Sequence, residues 1–361
     1  MTEKSPNSGL RTPSSIRVLV VDDSSFMRKS ITHILESDPS IDVIDTAPDG
    51  RAAIEKVRQF HPDVVLLDIE MPVMDGLTAL SHIMAETPTP VIVISGLGEK
   101  NKTIAMKALY HGAVDYIAKP SGVISYDIEK ISGEIILKTK IASAVDIQKL
   151  NFSLQEIQEI SYLHIPYVSV KRKEVVVIGA STGGPRAVLR VLSGLPRDMP
   201  AGILVAQHMG KEFMPSFAEM LKWQCAVEIS IAQQGDIIGP GQVLIAPGGC
   251  NTIIEKDGEV KKVVITPPSG ENGGDLSPSI DYAMESAAEI YKDAALGVIL
   301  TGMGDDGVKG MKDIKEEGGS TIAEDESTCV VFGMPKAAIE AGCVDEIVPL
   351  HQIAGAIMRM I

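Results

Sequence analysis

The first part of the chain alternates short aliphatic runs with stretches that have helical spacing, and this alternation strongly restricts the fold. Two of the helical stretches cover residues 24–35 and 50–59. Repeated strand–helix units predict a doubly wound α/β domain with a five-stranded parallel sheet, which binds ligands beyond the carboxyl ends of its strands. The predicted strands are 16–21, 41–47, 64–67, 91–94 and 114–117.

Polar side chains stand at the carboxyl ends of several of these strands. Asp22 and Asp23 follow the first strand, Asp68 follows the third, and Ser95 and Lys119 end two others. Three carboxylates brought together repel one another unless a cation offsets their charge. We therefore expect a hard divalent ion such as Mg²⁺ at this edge, together with the Lys119 ammonium group.

These residues and their neighbours closely resemble the receiver domain of two-component response regulators, over about residues 16–122. The resemblance implies that Asp68 accepts a phosphoryl group from a histidine kinase. It also implies that Asp22, Asp23 and Asp68 hold Mg²⁺ and that Lys119 contacts the phosphoryl oxygens, while Ser95 and Tyr116 match the switch positions. The matching motifs are Asp22-Asp23, Asp68, Met71-Pro72, Asp75-Gly76, Ser95, Tyr116 and Lys119-Pro120.

A glycine-rich bend with a serine begins the second half of the chain. A run of β-branched residues from Val175 leads to Gly179-Ala-Ser181-Thr-Gly183, and Pro185 follows where a helix can begin. The spacing satisfies the G-x-S-x-G pattern of a nucleophile elbow, which exposes a serine hydroxyl beside helix N-terminal amides. Taken alone, the stretch is equally compatible with a turn that binds phosphate or no ligand.

Three strand ends in this half carry groups suited to acyl transfer. Ser181 follows the first strand, His208 the second, and Asp305-Asp306 the last. A serine, an imidazole and a carboxylate at one sheet edge favour a serine hydrolase. The order used by α/β-hydrolases would instead pair Ser181 and one of these acids with His351. The predicted strands are 175–178, 202–206, 227–231, 243–246 and 294–300, and the predicted helices include 186–192 and 279–291.

From about residue 174 to the end, the chain resembles the chemotaxis protein-glutamate methylesterases of the CheB type. The resemblance implies that Ser181 is the nucleophile, His208 the general base and Asp306 the orienting acid, with the Met303 amide in the oxyanion hole and no cofactor for ester hydrolysis. At Cys250-Asn251 the chain departs from a family that often has a histidine there. The matching motifs are 178–185, Gln207-His208-Met209, 245–248, 278–281 and 300–307.

The two resemblances together imply a phosphorylation-activated hydrolase that removes methyl groups from glutamate γ-methyl esters on chemoreceptors. They also imply deamidation of receptor glutamines, and a resting state in which the unphosphorylated receiver blocks access to Ser181. The implied partners are methylated chemoreceptors and a chemotaxis histidine kinase. Two alternatives remain, a dinucleotide-binding oxidoreductase and a non-enzymatic scaffold switched by its receiver.

Composition limits the remaining possibilities. The net charge of −15 argues against nucleic acid as a main partner. The polar residues 1–15 predict a disordered leader and, with no apolar span elsewhere, indicate a cytoplasmic protein without membrane insertion. Four cysteines without a C-x-x-C pair favour isolated thiols over disulfides or structural zinc. We place a linker at 123–173, with a short helix at about 146–160, between the receiver and a methylesterase domain at 174–361.

Overall fold

The computed structural model describes residues 15–120, 126–147, 173–268 and 278–361. Nearly all of the predicted leader, and most of the predicted linker with its short helix, lie outside the described residues. By packing, the chain divides into two compact units. The described residues of one unit fall within 1–96 and 117–143, and those of the other fall within 97–116 and 144–361.

The first sheet has five strands in the order β2-β1-β3-β4-β5, with helices between successive strands. This arrangement confirms the predicted five-stranded, doubly wound α/β domain. Strands β3 and β4 are buried along their whole length, as expected for central strands covered on both faces. The elements are β1 Ile16–Val21, α1 Ser25–Glu36, β2 Ile41–Ala47, α2 Gly50–Phe60, β3 Val64–Asp68, α3 Gly76–Glu86, β4 Val91–Ser95, α4 Glu99–Tyr110 and β5 Asp115–Ala118.

Short polar residues begin three of these helices. The side chains of Ser24, Asp49 and Asp75 accept hydrogen bonds from the backbone N–H groups of Met27, Ala52 and Thr78. Such N-caps satisfy donors that have no partner within the helix, and each typically stabilises a protein by about 1 kcal/mol.

A further helix, α5 Ser132–Ser143, follows a 3-10 helical turn at Tyr126–Ile131. Its buried residues Ile135, Thr139 and Ala142 lie on one face, and the helix packs against α1, β3 and β4. The first compact unit therefore extends past residue 122, where we predicted the receiver domain to end. The domain boundaries themselves stay predictions.

The second sheet has seven strands in the order β14-β13-β12-β6-β7-β9-β8, and all of its described strand pairs are parallel. Strands β10 and β11 form a separate antiparallel hairpin. The elements are β6 Val175–Ala180, α6 Gly184–Ser193, β7 Gly202–Gln207, α7 Met214–Gln224, β8 Glu228–Ile231, β9 Gln242–Ile245, β10 Asn251–Asp257, β11 Val260–Thr266, α8 Ile280–Tyr291, β12 Ala295–Ile299, α9 Val308–Glu316, β13 Ser320–Glu324, α10 Met334–Glu340, β14 Glu346–Val348 and α11 Leu350–Met360.

Strands β12, β6 and β7 are neighbours near the middle of this sheet, and all three are completely buried. The chain leaves β6 towards β7 on one side, whereas β12 pairs with β6 on the other side. Such a switch point opens a crevice beyond the carboxyl ends of the strands. Among the described residues, no helix has both the length and the apolar character needed to span a lipid bilayer.

Candidate active site

Ser181 lies at the bend between β6 and α6, where the backbone has little room for side chains. Gly183 has a φ of 77°, a conformation that favours glycine, and it immediately precedes α6. A Cβ atom at Gly184 would lie 2.8 Å from Ala180 Cβ and still closer to the Gln207 side chain. The Ser181 N–H donates to the Thr301 carbonyl at 3.0 Å. The serine is thereby tied to the loop that follows β12.

The structure brings Ser181, His208 and Asp306 into one hydrogen-bonded chain. His208 Nδ1 lies 3.2 Å from Ser181 Oγ, and His208 Nε2 lies 2.8 Å from Asp306 Oδ2. An ionised carboxylate only accepts hydrogen bonds, so Nε2 carries the proton of the neutral imidazole and Nδ1 presents its lone pair to the serine hydroxyl. The arrangement can therefore transfer a proton from Ser181 to His208. The individual catalytic roles stay predictions.

Asp306 is held as an anion although it is largely buried. It accepts hydrogen bonds from the backbone N–H groups of Ile280 at 2.8 Å and Asp281 at 2.9 Å, and from Ser279 Oγ at 3.3 Å. Burial alone would raise the pKa of Asp306, but the hydrogen bonds from His208, Ile280 and Asp281 outweigh it and lower the pKa below its ordinary value. A fixed negative charge of this kind stabilises an imidazolium on His208.

The loop that contains Met303 passes directly beside the nucleophile. The Gly302 carbonyl accepts hydrogen bonds from the N–H groups of Gly333 and Met334, and the Gly302 N–H donates to the Val331 carbonyl at 3.1 Å. The Met303 side chain is exposed. These bonds fix the backbone at Gly302, where an added Cβ would lie 2.6 Å from Ser181 Cβ. The loop thus passes beside Ser181, as expected for an oxyanion loop, and the role of the Met303 amide stays a prediction.

Gly302→Ala should damage this site, because an added Cβ would lie 2.6 Å from Ser181 Cβ and would also overlap Met334 Sδ. We expect a loss of about 1–3 kcal/mol in the free energy of unfolding and a fall in activity. Gly355→Ala is the matched control, since Gly355 is exposed in α11 and its nearest neighbour would be 3.9 Å away. Chemical denaturation of both variants measures the difference. An unchanged Gly302→Ala protein would contradict the packing described for this loop.

The alternative pairing with His351 is wrong. His351 is exposed in α11, where its ring contacts the neighbouring Gln352, and Asp305 is also exposed. The imidazole beside Ser181 belongs to His208, and the carboxylate bonded to that imidazole belongs to Asp306.

A second cluster of functional groups lies at the carboxyl edge of the first sheet. One carboxylate oxygen from each of Asp22, Asp23 and Asp68 lies within 4.8 Å of the other two, so this acidic cluster could bind a metal ion. Lys119 Nζ lies 2.9 Å from Asp22 and 2.8 Å from Asp68. Burial, with a contribution from the Asp22 charge, raises the pKa of Asp68 to about 6, although Lys119 opposes the shift.

The predicted switch residues lie in the last two strands of this sheet, β4 and β5. Ser95 is fully buried at the end of β4, and its carbonyl accepts a hydrogen bond from the Lys119 N–H at 2.7 Å. Tyr116 is buried in β5. The acidic cluster, Lys119 and Ser95 therefore occupy the edge that was predicted, and the switching roles of Ser95 and Tyr116 stay predictions.

Comparison with known proteins decides the family. The family model described as CheB methylesterase matches residues 176–357, and the response regulator receiver domain matches residues 18–125. The chain belongs to the CheB methylesterase family. Because this is a family of hydrolases, neither the oxidoreductase nor the scaffold alternative retains support.

Similar proteins agree with this family over nearly the whole chain. A protein-glutamate methylesterase/protein-glutamine glutaminase from Symbiobacterium thermophilum is 43% identical, covering 97% of this chain and 98% of its own. A protein of the same description from Pyrococcus abyssi is 42% identical, covering 97% and 95%. The crystal structure of the Thermotoga maritima CheB methylesterase catalytic domain is 39% identical with a TM-score of 0.51, and the match covers 54% of this chain and all of that one.

Sequence reasoning gave no supporting role to several polar residues of this CheB-type site. Gln207 Nε2 donates to the carbonyls of Ser181 at 2.9 Å and His208 at 3.0 Å. Asn251, at the position where the chain departs from the family pattern, is buried and accepts from the Ser279 N–H at 2.9 Å. Asn251 thus supports a residue that donates to Asp306. In the sequence, Gln207 and Ser279 lie within motifs that carry the family resemblance, but nothing there indicates their hydrogen-bond partners.

Proposed function

We propose that this chain is a phosphorylation-activated hydrolase that removes methyl groups from glutamate γ-methyl esters on chemoreceptors. The observation that carries the proposal is the hydrogen-bonded chain from Ser181 through His208 to Asp306. It lies at the switch point of a sheet in a CheB-family chain that also has a receiver domain. The homologues described as methylesterase/glutaminase support this substrate class.

The ester reaction follows from the geometry of the three residues. His208 Nδ1 takes the proton of Ser181 as Oγ attacks the ester carbonyl, and Asp306 stabilises the resulting imidazolium. The Met303 N–H donates to the oxyanion, and one such donor is typically worth about 3 to 4 kcal/mol in the transition state. His208 then protonates the departing oxygen, so methanol leaves and an acyl-enzyme remains. Water, deprotonated by His208, releases the glutamate and restores Ser181.

The same residues would deamidate glutamine. In that reaction Ser181 attacks the side-chain amide, His208 protonates the nitrogen, and ammonia leaves in place of methanol. Hydrolysis of the acyl-enzyme again yields glutamate. We expect deamidation to be slower on equivalent sites, because an amide is a poorer electrophile with a poorer leaving group than an ester.

The receiver domain would regulate the esterase activity. Asp68 accepts a phosphoryl group from a chemotaxis histidine kinase, and the Lys119 ammonium, already 2.8 Å from Asp68, contacts the phosphoryl oxygens. Asp22, Asp23 and Asp68 supply the hard oxygen ligands that suit Mg²⁺. Such an ion, when bound, offsets the negative charge of the transferring group. The enzyme would act in the cytoplasm, on cytoplasmic segments of the receptors.

Hydrolysis of a methylated receptor fragment in ¹⁸O-labelled water tests the chemistry. Attack by Ser181 on the carbonyl breaks the acyl–oxygen bond, so we expect one labelled oxygen in the glutamate carboxyl group and unlabelled methanol. Mass spectrometry of both products measures this distribution. Label in the methanol would contradict the acyl-enzyme route, because it would mean that water attacked the methyl carbon.

A further inference from the structure

Helices α8 and α9 begin side by side at the triad. The first N–H groups of each helix donate to a carboxylate that belongs to the other helix or to the residue just before it. Asp306, just before α9, accepts from the N–H groups of Ile280 and Asp281 in the first turn of α8. In return, Asp281 Oδ1 accepts from the N–H groups of Gly307 and Gly310 at the start of α9, both at 2.9 Å. The two carboxylates therefore form a reciprocal cap across the pair of helices.

The backbone that carries Asp306 needs such an external restraint. Gly304 and Gly307, on either side of Asp306, have φ values of 91° and 100°. Glycine adopts positive and negative φ values about equally readily, so these two residues do not by themselves hold the backbone in this conformation. The Gly307 N–H belongs to the peptide group that directly follows Asp306. By accepting from this N–H, Asp281 fixes the orientation of the peptide next to the triad acid. The second bond, from Gly310, ties the same oxygen to the body of α9.

The environment of Asp281 is that of a residue that holds α9 in place, not that of a solvent-exposed surface carboxylate. Its carboxyl group is half-buried, and burial raises the pKa of Asp281, while the N–H groups of Gly310 and Gly307 oppose this shift and the nearby Asp306 charge reinforces it. The negative charges of Asp281 and Asp306 repel each other, which disfavours ionisation of Asp281. The hydrogen bonds to α9 offset part of that repulsion.

We propose that Asp281 is a positioning residue for the triad, holding Asp306 at the distance and orientation that His208 requires. Asp281 does not contact the substrate in this account, and it acts only through the Asp306 loop. This inference rests on the proposed function only for the identity of the substrate. The positioning role itself concerns the reactivity of Ser181 and does not depend on which ester is hydrolysed. Displacing a reacting group by about 1 Å can cost on the order of 10²-fold in rate.

Two substitutions separate the hydrogen-bond acceptor from the charge. Asp281→Ala removes the oxygen that binds Gly307 and Gly310, whereas Asp281→Asn retains a carbonyl oxygen in its place. Glu285→Ala is the matched control, because Glu285 is another α8 carboxylate that pairs with α9, through Lys309 at 2.7 Å. That ion pair involves neither Asp306 nor Gly307.

The experiment measures the rate at which a fluorophosphonate labels Ser181 in the full chain, together with kcat and KM for methanol release. We expect Asp281→Ala to lower the labelling rate and kcat by about 10- to 100-fold with little change in KM. Asp281→Asn and Glu285→Ala should stay within about threefold of wild type, since both keep the acceptor at α9. If Asp281→Ala does not fold, Asp281→Glu replaces it with the same expected loss, because the added methylene displaces the carboxylate.

Equal rates in wild type and Asp281→Ala would overturn the proposal, as would equal losses in the alanine and asparagine variants. A loss that merely tracks the fraction of unfolded protein, measured by thermal denaturation, would also overturn it. Failure of the receptor ester as a substrate would instead count against the proposed function alone. In that case the labelling rates would still decide the role of Asp281.

Discussion

Ser181→Ala is expected to lower methanol release from methylated receptor by at least about 10⁴-fold, because it removes the only atom that forms the acyl bond. The neighbouring His208 and Asp306 cannot compensate, since their contribution depends on a hydroxyl to activate. Stability should change little: among the described contacts, Ser181 Oγ bonds only to His208. A quantitative methanol assay on the purified full chain measures the loss.

Ser193→Ala provides the control for that substitution. Ser193 lies at the end of α6, the helix that follows the nucleophile, and its hydroxyl donates to the Arg190 carbonyl at 3.1 Å. Removing this hydroxyl should leave methanol release within about twofold of wild type, as is usual for a substitution outside the site. Substantial esterase activity in Ser181→Ala would mean that another group is the nucleophile.

Asp68→Asn is expected to abolish the stimulation of methanol release by a small-molecule phosphodonor such as acetyl phosphate. The asparagine amide cannot form the acyl phosphate, so the ratio of the rates with and without phosphodonor should fall to about one. Asp75→Asn is the matched control, because Asp75 is another aspartate, in the segment that follows β3. Asp75 caps α3 by accepting from the Thr78 N–H, and asparagine is an equally good cap.

The same reaction can be followed at Asp68 itself. Phosphorylated protein should be detected by mass spectrometry in wild type and in Asp75→Asn, and be absent in Asp68→Asn. Equal stimulation of Asp68→Asn and wild type would contradict control through this residue. Stimulation lost in Asp75→Asn as well would indicate a general defect in the loop.

The sequence predicted the strands that carry the candidate site because each is a mainly aliphatic run that a polar residue soon follows. For the first strand of each domain, residues 16–21 and 175–178 lie within β1 and β6. The hairpin β10–β11 was missed because its strands end in exposed charged residues such as Lys256 and Asp257. Strand β14 has only three residues, none fully buried, and so gives almost no periodic signal.

The contacts around the triad acid were beyond sequence reasoning for a different reason. Periodicity could not distinguish Asp305 from Asp306, since adjacent residues in a glycine-rich loop have no repeating environment. The distinction comes from α8, whose first N–H groups select Asp306 although they lie about 25 residues earlier in the chain. The return contact from Asp281 to Gly307 is equally long-range. Such contacts depend on how two helices pack, which no local pattern encodes.

In the proposed function, phosphorylation of the receiver domain controls a serine ester hydrolase within the same chain. Methanol release from methylated chemoreceptor by the wild-type protein, measured with and without acetyl phosphate and Mg²⁺, tests this claim most directly. We expect methanol release to increase when the phosphodonor is present. No methanol under either condition, or a rate that does not respond to the phosphodonor, would contradict it.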